Sequence, residues 1–552
     1  MRIKQFKYEK SSLPLIEKMD TQKIKYGTDW PVVYILNNSD KAYVGETLCA
    51  YKRVSQHLSN PLKTGFENIN IILDDEFNKS AILDIEAFLI RYMSADQKLD
   101  NLNEGLYDYS YYEKEKYVAK FEPLWNILKN YGLVKGRLID IENSDFFTYS
   151  PYKVLTIDQL MSVEMILHGL KESIKNQEPL TVVISGAPGT GKTILATYLM
   201  KLLKTPSEVR FGESEENIEL DKELFEMIDN MKISMVVPQQ SLRKTISNVF
   251  KKVSGLKSSD IIKPYDIPKE KFDILIVDEA HRLQRPINLG QKHNAYHAHV
   301  EKMGLPNDST EMDWIIHQSK YQILFYDEEQ TIRPTDIRSD SFYKVLNKRK
   351  ILALELKTQM RVDAGESYIK YIKQILNCQV DYKQEFKNYD LKIYDNLSKM
   401  IKKIKKNDEV YGYSRMVAGY SWPWKSKGDE TGKIYDIEID AEKLRWNYTY
   451  INWINTPGSI NEVGCIHTVQ GYDLNYCGVI IGPEIDYDFS KNEIIVDKDK
   501  YKDTMGKTKL SNEEELRTYI KNIYQVLLTR GIKGTYIYIC NKNLREYFKK
   551  YI

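Results

Sequence analysis

Cysteine is scarce. Five residues, Cys49, Cys378, Cys465, Cys477 and Cys540, lie far apart in a chain of 552 and form no C-x-x-C pair. This excludes a disulfide scaffold or a zinc ribbon and favours a reducing compartment. No apolar run approaches the ~18 residues of a membrane span, and the start Met1-Arg-Ile-Lys-Gln-Phe6 has no apolar leader core. A soluble, cytoplasmic chain is the expectation. Net charge is almost absent, with 80 basic against 78 acidic residues, so any track for nucleic acid has to be local. Internal repeats and long low-complexity segments are lacking too. His293, His297 and His299 have no H-E-x-x-H arrangement and no neighbouring cysteine, so a polar loop is expected there rather than a zinc site.

What is present is a phosphate-binding signature. Gly186-Ala-Pro-Gly-Thr-Gly-Lys-Thr193 follows the apolar run Thr181–Ser185 and precedes Ile194–Met200, which predicts strand, glycine-rich loop and helix. Gly186, Gly189 and Gly191 let backbone N–H groups close around phosphate oxygens at a helix N-terminus. Lys192 is suited to the β- and γ-phosphates and Thr193 to Mg²⁺. The run Phe272–Val277 ends in Asp278 and Glu279, a carboxylate for Mg²⁺ followed by one able to orient the attacking water. Tyr321–Tyr326 is followed by Asp327, Gln330 and Arg333. Ligands in open α/β sheets bind where strands finish, so the three exits support one another. The alternation of apolar runs with amphipathic segments predicts parallel sheets covered by helices.

These residues resemble a superfamily 1 helicase with two RecA-like lobes. Leu155–Gln159 is similar to the adenine-reading Q motif, which implies Gln159 as the adenine contact and ATP as the nucleotide. Val236–Arg243 resembles motif Ia, which meets the nucleic-acid backbone. Leu356–Arg361 resembles motif IV, with Arg361 near the γ-phosphate. Glu462–Gly471 resembles motif V. Tyr524–Arg530 resembles motif VI, with Arg530 as an arginine finger from the second lobe. The resemblance implies that both arginines act across a cleft closed by ATP. Ser414–Trp424 narrows the likeness to a bacterial helicase-like family whose core is shared with long Schlafen proteins. The intervals Lys192–Asp278 and Arg361–His467 leave little room for accessory subdomains, so strand translocation or switching is as much expected as unwinding. Trp422 and Trp424 are read either as base-stacking or as packing residues, and the run Lys402–Lys406 as a solvated face.

Nearer the N-terminus, Pro31–Leu36 and Lys41–Gly45 flank the turn-prone Asn37–Asp40, predicting a hairpin that brings Tyr34 and Tyr43 together. Arg53 and His57 share one helical face at i, i+4. Glu86 falls in the stripe Ile82, Ile85, Leu89, Met93, with Asp84 pointing away. A carboxylate there needs a partner, either a divalent metal or Arg53. The set resembles the GIY-YIG endonucleases over about residues 30–108, with Tyr34, Tyr43, Arg53, His57, Glu86 and Asn103 at the family's polar positions and Val32 where it usually has glycine. This implies metal-assisted hydrolysis, with Glu86 holding Mg²⁺ (Mn²⁺ as an alternative), Arg53 on the phosphate, Asn103 orienting the site, and Tyr43 or His57, with Tyr34, activating water.

The expected fold class is therefore α/β: a small α+β nuclease domain (1–110), a helical connector (111–150) and two RecA-like lobes (151–350 and 351–552). The expected function is an ATP-driven motor or switch governing an endonuclease, by analogy in restriction or phage defence. DNA is the first expected partner and RNA the second, with an oligomer or accessory protein left open. The alternative is a nucleotide-controlled binding switch whose nuclease-like domain only binds.

Overall fold

The computed structural model describes residues 1–98, 100–101, 112–207, 221–347, 349–469, 472–510 and 512–552. They form two compact units, Met1–Ile157 and Asp158–Ile552. No helix among the described residues is long and apolar enough to cross a membrane.

The first unit is built on a five-stranded sheet of β1 (Arg2–Lys7), β2 (Val32–Asn37), β3 (Lys41–Thr47), β4 (Asn68–Leu73) and β5 (Asp100–Asn101), in the order β1-β4-β2-β3-β5. β2 and β3 are the expected antiparallel hairpin, with Tyr34 opposite Gly45 and Leu36 opposite Tyr43. Every residue of β2 is buried, because helices cover both faces of the sheet. Val33, Ile35 and Val44 pack with Ile82, Ile85 and Leu89 of the helix Lys79–Asp96. Val32, Tyr34, Leu36 and Tyr43 face Ala50 and Val54 of the helix Ala50–Leu58. The strand period of two thus sorts one apolar run onto two cores.

The expected connector at 111–150 is helical, as Lys114–Ala119, Phe121–Asn130, Leu138–Glu142 and Asp145–Tyr149, but it is not a linker. Tyr117, Phe121, Trp125 and Leu128 join the core formed by Ile82 and Leu89. These aromatic residues are the cover of the long helix.

The second unit holds two α/β lobes. The first sheet contains β6 (Leu180–Gly186), β7 (Ile233–Val236), β8 (Ile261–Ile262), β9 (Phe272–Val277), β10 (Ser319–Tyr326) and β11 (Lys350–Leu356), all parallel, in the order β11-β6-β10-β9-β7-β8. The second contains β12 (Asp390–Ile393), β13 (Ser414–Ala418), β14 (Ile437–Ile439), β15 (Glu442–Trp446), β16 (Glu462–Cys465), β17 (Leu474–Ile481) and β20 (Gly531–Ile539), in the order β12-β20-β17-β13-β16-β15-β14. Only β14 runs antiparallel. β18 (Ile485–Asp488) and β19 (Glu493–Val496) form a separate hairpin. In the second sheet Val479 and Ile537 face one core and Ile480 and Tyr538 the other. This is the two-faced burial that parallel strands require.

The lobe boundary expected at 351 is corrected. β11 pairs with β6 from Lys350–Leu180 to Leu356–Gly186, so it closes the first sheet. Spacing alone did not separate an edge strand of one lobe from the opening strand of the next. The segment His293–Met303 is also corrected, from loop to helix. Tyr296 and Val300 on its inner face pack with Trp314, and no group of three or more histidine, cysteine or carboxylate residues able to hold a metal is found among the described residues.

Candidate functional site

In the first unit the helix Ala50–Leu58 lays Arg53 and His57 over the hairpin. Tyr34 is 1 % exposed; its hydroxyl lies 2.7 Å from His57 Nε2 and accepts from Arg53 Nε at 3.4 Å. Gly45 makes room for it, since a Cβ there would fall 2.2 Å from the Tyr34 hydroxyl. The Tyr34 and Tyr43 ring centroids are 6.4 Å apart, and Tyr43 lies 5.7 Å from the His57 ring. Burial, then the neighbouring Tyr43, pushes the Tyr34 phenol well above its usual range; the Glu86 charge adds to this and Arg53 opposes it. Burial and the charges of Arg53 and Lys63 take His57 down to about 3. The imidazole is therefore neutral near pH 7. With Arg53 donating to the phenol oxygen, the Tyr34 hydrogen is left to donate to Nε2.

Glu86 is half-buried, and its charge reaches Tyr34. Asp84, expected to point away from the core, is itself buried and lies 3.6 Å from Lys114. The helices after residue 111 cover the face that the stripe left open. Asn103 lies outside the described residues. Lys63 had no sequence signature; its ammonium stands 3.4 Å from the Tyr43 ring centroid.

In the second unit the predicted loop joins β6 to the helix Lys192–Lys204. Gly189 and Gly191 have φ of +90° and +78°, backbone that side chains resist. Lys192 donates to the carbonyls of Gly186 and Ala187 and pairs with Asp327 at 3.0 Å. Gln330 donates to the same Asp327 oxygen at 2.7 Å. Gln330 thus meets Lys192 through Asp327, a relay that the sequence signatures left unassigned. Asp278 accepts from the Thr193 hydroxyl at 2.8 Å and from the Glu279 N–H at 3.0 Å. Burial and then the Glu279 charge push the Asp278 carboxyl upward. Burial acts upward on Glu279 as well, but His281, Arg282 and Lys192 outweigh it and hold that carboxyl low. A fully buried carboxylate touching a hydroxyl fits a divalent cation, whose charge would compensate the burial. The positive-φ glycines and the buried ammonium likewise fit nucleotide phosphates.

Gln159 is fully buried and donates to Thr190 O at 3.0 Å, so its amide braces the loop backbone. The segment after β11 wraps the same loop. Gln359 donates to Pro188 O at 2.7 Å and Met360 N–H to Gly189 O at 2.9 Å. Arg361 therefore continues from the first sheet, which corrects its expected place in the second lobe. Its guanidinium pairs with Asp473, on the second lobe. Arg530 is 2 % exposed and donates to the carbonyl of Tyr472, next to Asp473.

The stretch after β10 also binds the second lobe. Glu329 accepts from Gln525 at 2.8 Å, Thr331 O from Asn522 at 3.0 Å, and Arg338 pairs with Glu515 at 2.7 Å. All three partners lie on the helix Glu513–Leu528, which leads into Arg530. Nearby, a cavity of about 360 Å³ is lined by Arg243, Lys263, Arg282, Lys292, Arg333 and His467, with Glu311 and Asp336 as its carboxylates. His467 donates to the Asp503 carboxylate at 2.9 Å. Trp424 packs edge-on against Tyr450 and Trp422 tilts against Trp446, so both tryptophans take part in packing. Gln470 and Gly471 lie outside the described residues.

Residues 179–541 match the family described as Schlafen group 3, DNA/RNA helicase domain. An uncharacterized protein of Saccharomyces cerevisiae is 30 % identical over 411 residues, which is 67 % of this chain and 84 % of that protein. Among solved structures, the Pif1 helicase from Bacteroides, in complex with ADP-AlF3 and ssDNA, is 11 % identical with a TM-score of 0.25, covering 70 % of this chain and 92 % of that one. The Pif1 helicase from Candida albicans is 8 % identical with a TM-score of 0.27, covering 72 % and 99 %. With two thirds of its length matched, the chain belongs to the Schlafen group 3 DNA/RNA helicase domain family, and its second unit is a helicase-like NTPase core.

Proposed function

We propose that this core is an ATP-fuelled motor on nucleic acid that governs a GIY-YIG-type endonuclease centre in the first unit, acting in the cytoplasm in defence against foreign nucleic acid. The observation that carries the cutting centre is the convergence of Tyr34, Tyr43, Arg53 and His57 on one sheet face, with Gly45 making space for the phenol.

In the motor, Lys192 and the loop N–H groups bind phosphates, and Thr193 and Asp278 are the residues that would hold Mg²⁺. Bound Mg²⁺ supplies charge neutralisation on phosphate oxygens. Glu279, held ionised, orients the attacking water. Gln330 senses the terminal phosphate through Asp327. Arg361, Arg530 and the helix Glu513–Leu528 carry that state to the second lobe. The cavity beside Arg243 and Arg333 carries five basic residues against two carboxylates, which suits strand phosphates. DNA is the preferred partner in this reading and RNA the second. In the cutting centre Arg53 stabilises charge on the scissile phosphate, and Glu86 is the residue that would hold a divalent cation.

The test is a cleavage and ATPase panel across single-stranded, duplex and branched DNA and RNA, with Mg²⁺ and ATP, for the parent, Glu86→Ala and Lys192→Ala. We expect Glu86→Ala to lose cleavage and keep ATPase, and Lys192→Ala to lose both. Intact substrates with the parent would refute the nuclease. Full-rate cleavage by Lys192→Ala would refute the coupling.

A further inference from the structure

Arg333 follows β10 on the first lobe, yet its nearest carboxylate partner comes from the second. Asp503 lies in the loop after the hairpin of β18 and β19. That loop is tied to the second lobe by Lys502 N–H to Tyr420 O and Asp497 N–H to Glu484 O, both at 2.8 Å. The Asp503 Oδ1 accepts from the N–H groups of Met505 and Gly506, both at 3.1 Å. This grip aims the other oxygen. Oδ2 accepts from His467 Nε2 at 2.9 Å and stands 3.9 Å from Arg333 Nε. The residue is 8 % exposed. Gly506 lets the loop close this tightly, since a Cβ there would fall 2.6 Å from the Tyr501 hydroxyl and 3.1 Å from Asp503 Oδ2.

Arg333 and His467 both line the basic cavity, so Asp503 is an anion held against two of its walls. Burial acts upward on the Asp503 carboxyl, but His467 and Arg333 outweigh it and hold it at about 2. The carboxylate is therefore ionised near neutral pH. At 3.9 Å the pair with Arg333 is an ion pair too long for a hydrogen bond. The buried Arg333 Nε has no hydrogen-bond acceptor, whereas buried donors are normally matched. Arg282 is neutralised differently, by Asp336 at 3.3 Å within its own lobe. Arg333 thus carries a loosely held anion supplied from across the lobes, at a place where a phosphate oxygen could both balance the charge and take the hydrogen bond.

We propose that Asp503 is an autoinhibitory stand-in for a phosphate of the nucleic-acid strand: it neutralises Arg333 while the cavity is free and has to be displaced when a strand enters. This rests on the strand-binding reading of that cavity given above. No covalent bond changes; one oxyanion replaces another on the guanidinium. Because the loop is bonded to Tyr420 O, displacement of Asp503 also reports strand entry to the segment Ser414–Trp424.

The test is fluorescence anisotropy of a labelled oligothymidylate with full-length protein in the absence of nucleotide. Asp503→Asn keeps an oxygen for the Met505 and Gly506 N–H groups and removes the charge. We expect it to bind the strand about three- to tenfold tighter than the parent. The slope of log affinity against log salt should steepen by about 0.7, the value for one further phosphate contact on a single strand. Arg333→Gln should bind more weakly, and adding Asp503→Asn to it should bring no gain. A strand of uncharged methylphosphonates should not distinguish Asp503→Asn from the parent. Asp503→Ser serves in place of Asp503→Asn if melting curves show the latter unfolded. Equal or weaker binding by the folded Asp503 variant overturns the proposal, as does the same gain in the Arg333→Gln background or with methylphosphonates. Arg333→Gln binding strands as tightly as the parent overturns the strand-binding reading of the cavity, and the proposal with it.

Discussion

We expect Asp327 to compete with nucleotide for Lys192. The two side chains are 7 % and 6 % exposed and 3.0 Å apart, so Asp327→Asn leaves a buried ammonium without its counter-ion. Removing one partner of a buried pair costs about 3–5 kcal/mol when nothing compensates. Here the carbonyls of Gly186 and Ala187 still accept from Lys192, which brings the expected loss down to about 1–3 kcal/mol. At roughly 2–4 °C per kcal/mol for a lobe of this size, the apo protein should melt about 2–12 °C lower. Nucleotide reverses the sign, because its phosphates supply the anion that the variant lacks. A non-hydrolysable ATP analogue should therefore give Asp327→Asn a larger thermal shift than the parent. Its affinity should be about fivefold tighter, equivalent to removing roughly 1 kcal/mol of competition. Scanning fluorimetry and titration calorimetry read both quantities. If the variant binds nucleotide as weakly as Lys192→Ala, Asp327 serves the phosphate rather than opposing it, and the reasoning fails.

Gly45→Ala forces a methyl group onto the Tyr34 hydroxyl; we expect about 1–3 kcal/mol of destabilisation and loss of cleavage with ATPase intact, and an unchanged melting profile would contradict the packing. Glu484 is wholly buried and accepts from the Tyr524 hydroxyl at 2.5 Å, and burial raises its carboxyl from the usual 4.5 to about 7. The folded state thus holds the proton more tightly than the unfolded chain, so its contribution is fully present below pH 4.5 and is lost as pH rises toward 7. Glu484→Gln should remove that slope and be about 1–3 kcal/mol more stable at pH 8, measured by denaturant unfolding at pH 5 and 8; parallel curves for parent and variant would exclude the linkage. Asp473→Ala frees Arg361 from its ion pair and should change the KM for ATP more than kcat; unchanged kinetics would show that the contact carries no nucleotide information.

Much of the second unit is legible in the sequence, because its strands are short apolar runs ending in chemically distinct residues. Gly186–Thr193, Asp278 and Gln330 all fall at strand exits as expected, since the polar group and the end of the run coincide. Asp327 escaped assignment because its role depends on Lys192, distant in sequence and joined only by the parallel pairing of β6 and β10. β11 escaped because an edge strand has no local mark of which lobe it joins. In the first unit the pairs Tyr34–Tyr43 and Arg53–His57 follow from hairpin and helix periodicity. Asp84 and Lys63 do not, because helices from later in the chain bury the one and a short turn aims the other. The arginine at 361 was misplaced for a similar reason: its motif names a destination, whereas its backbone follows the strand before it.

The aromatic cover of the long helix sets where the first unit can be separated. Tyr92 rests on Phe121, Trp125 and Phe147, with ring centroids 5.0, 5.9 and 4.8 Å away. A fragment cut near residue 110, where motif boundaries alone would divide the protein, strips these rings and leaves the helix wet along one side. An independently produced first unit has to run through Ile157, the last residue of the compact unit.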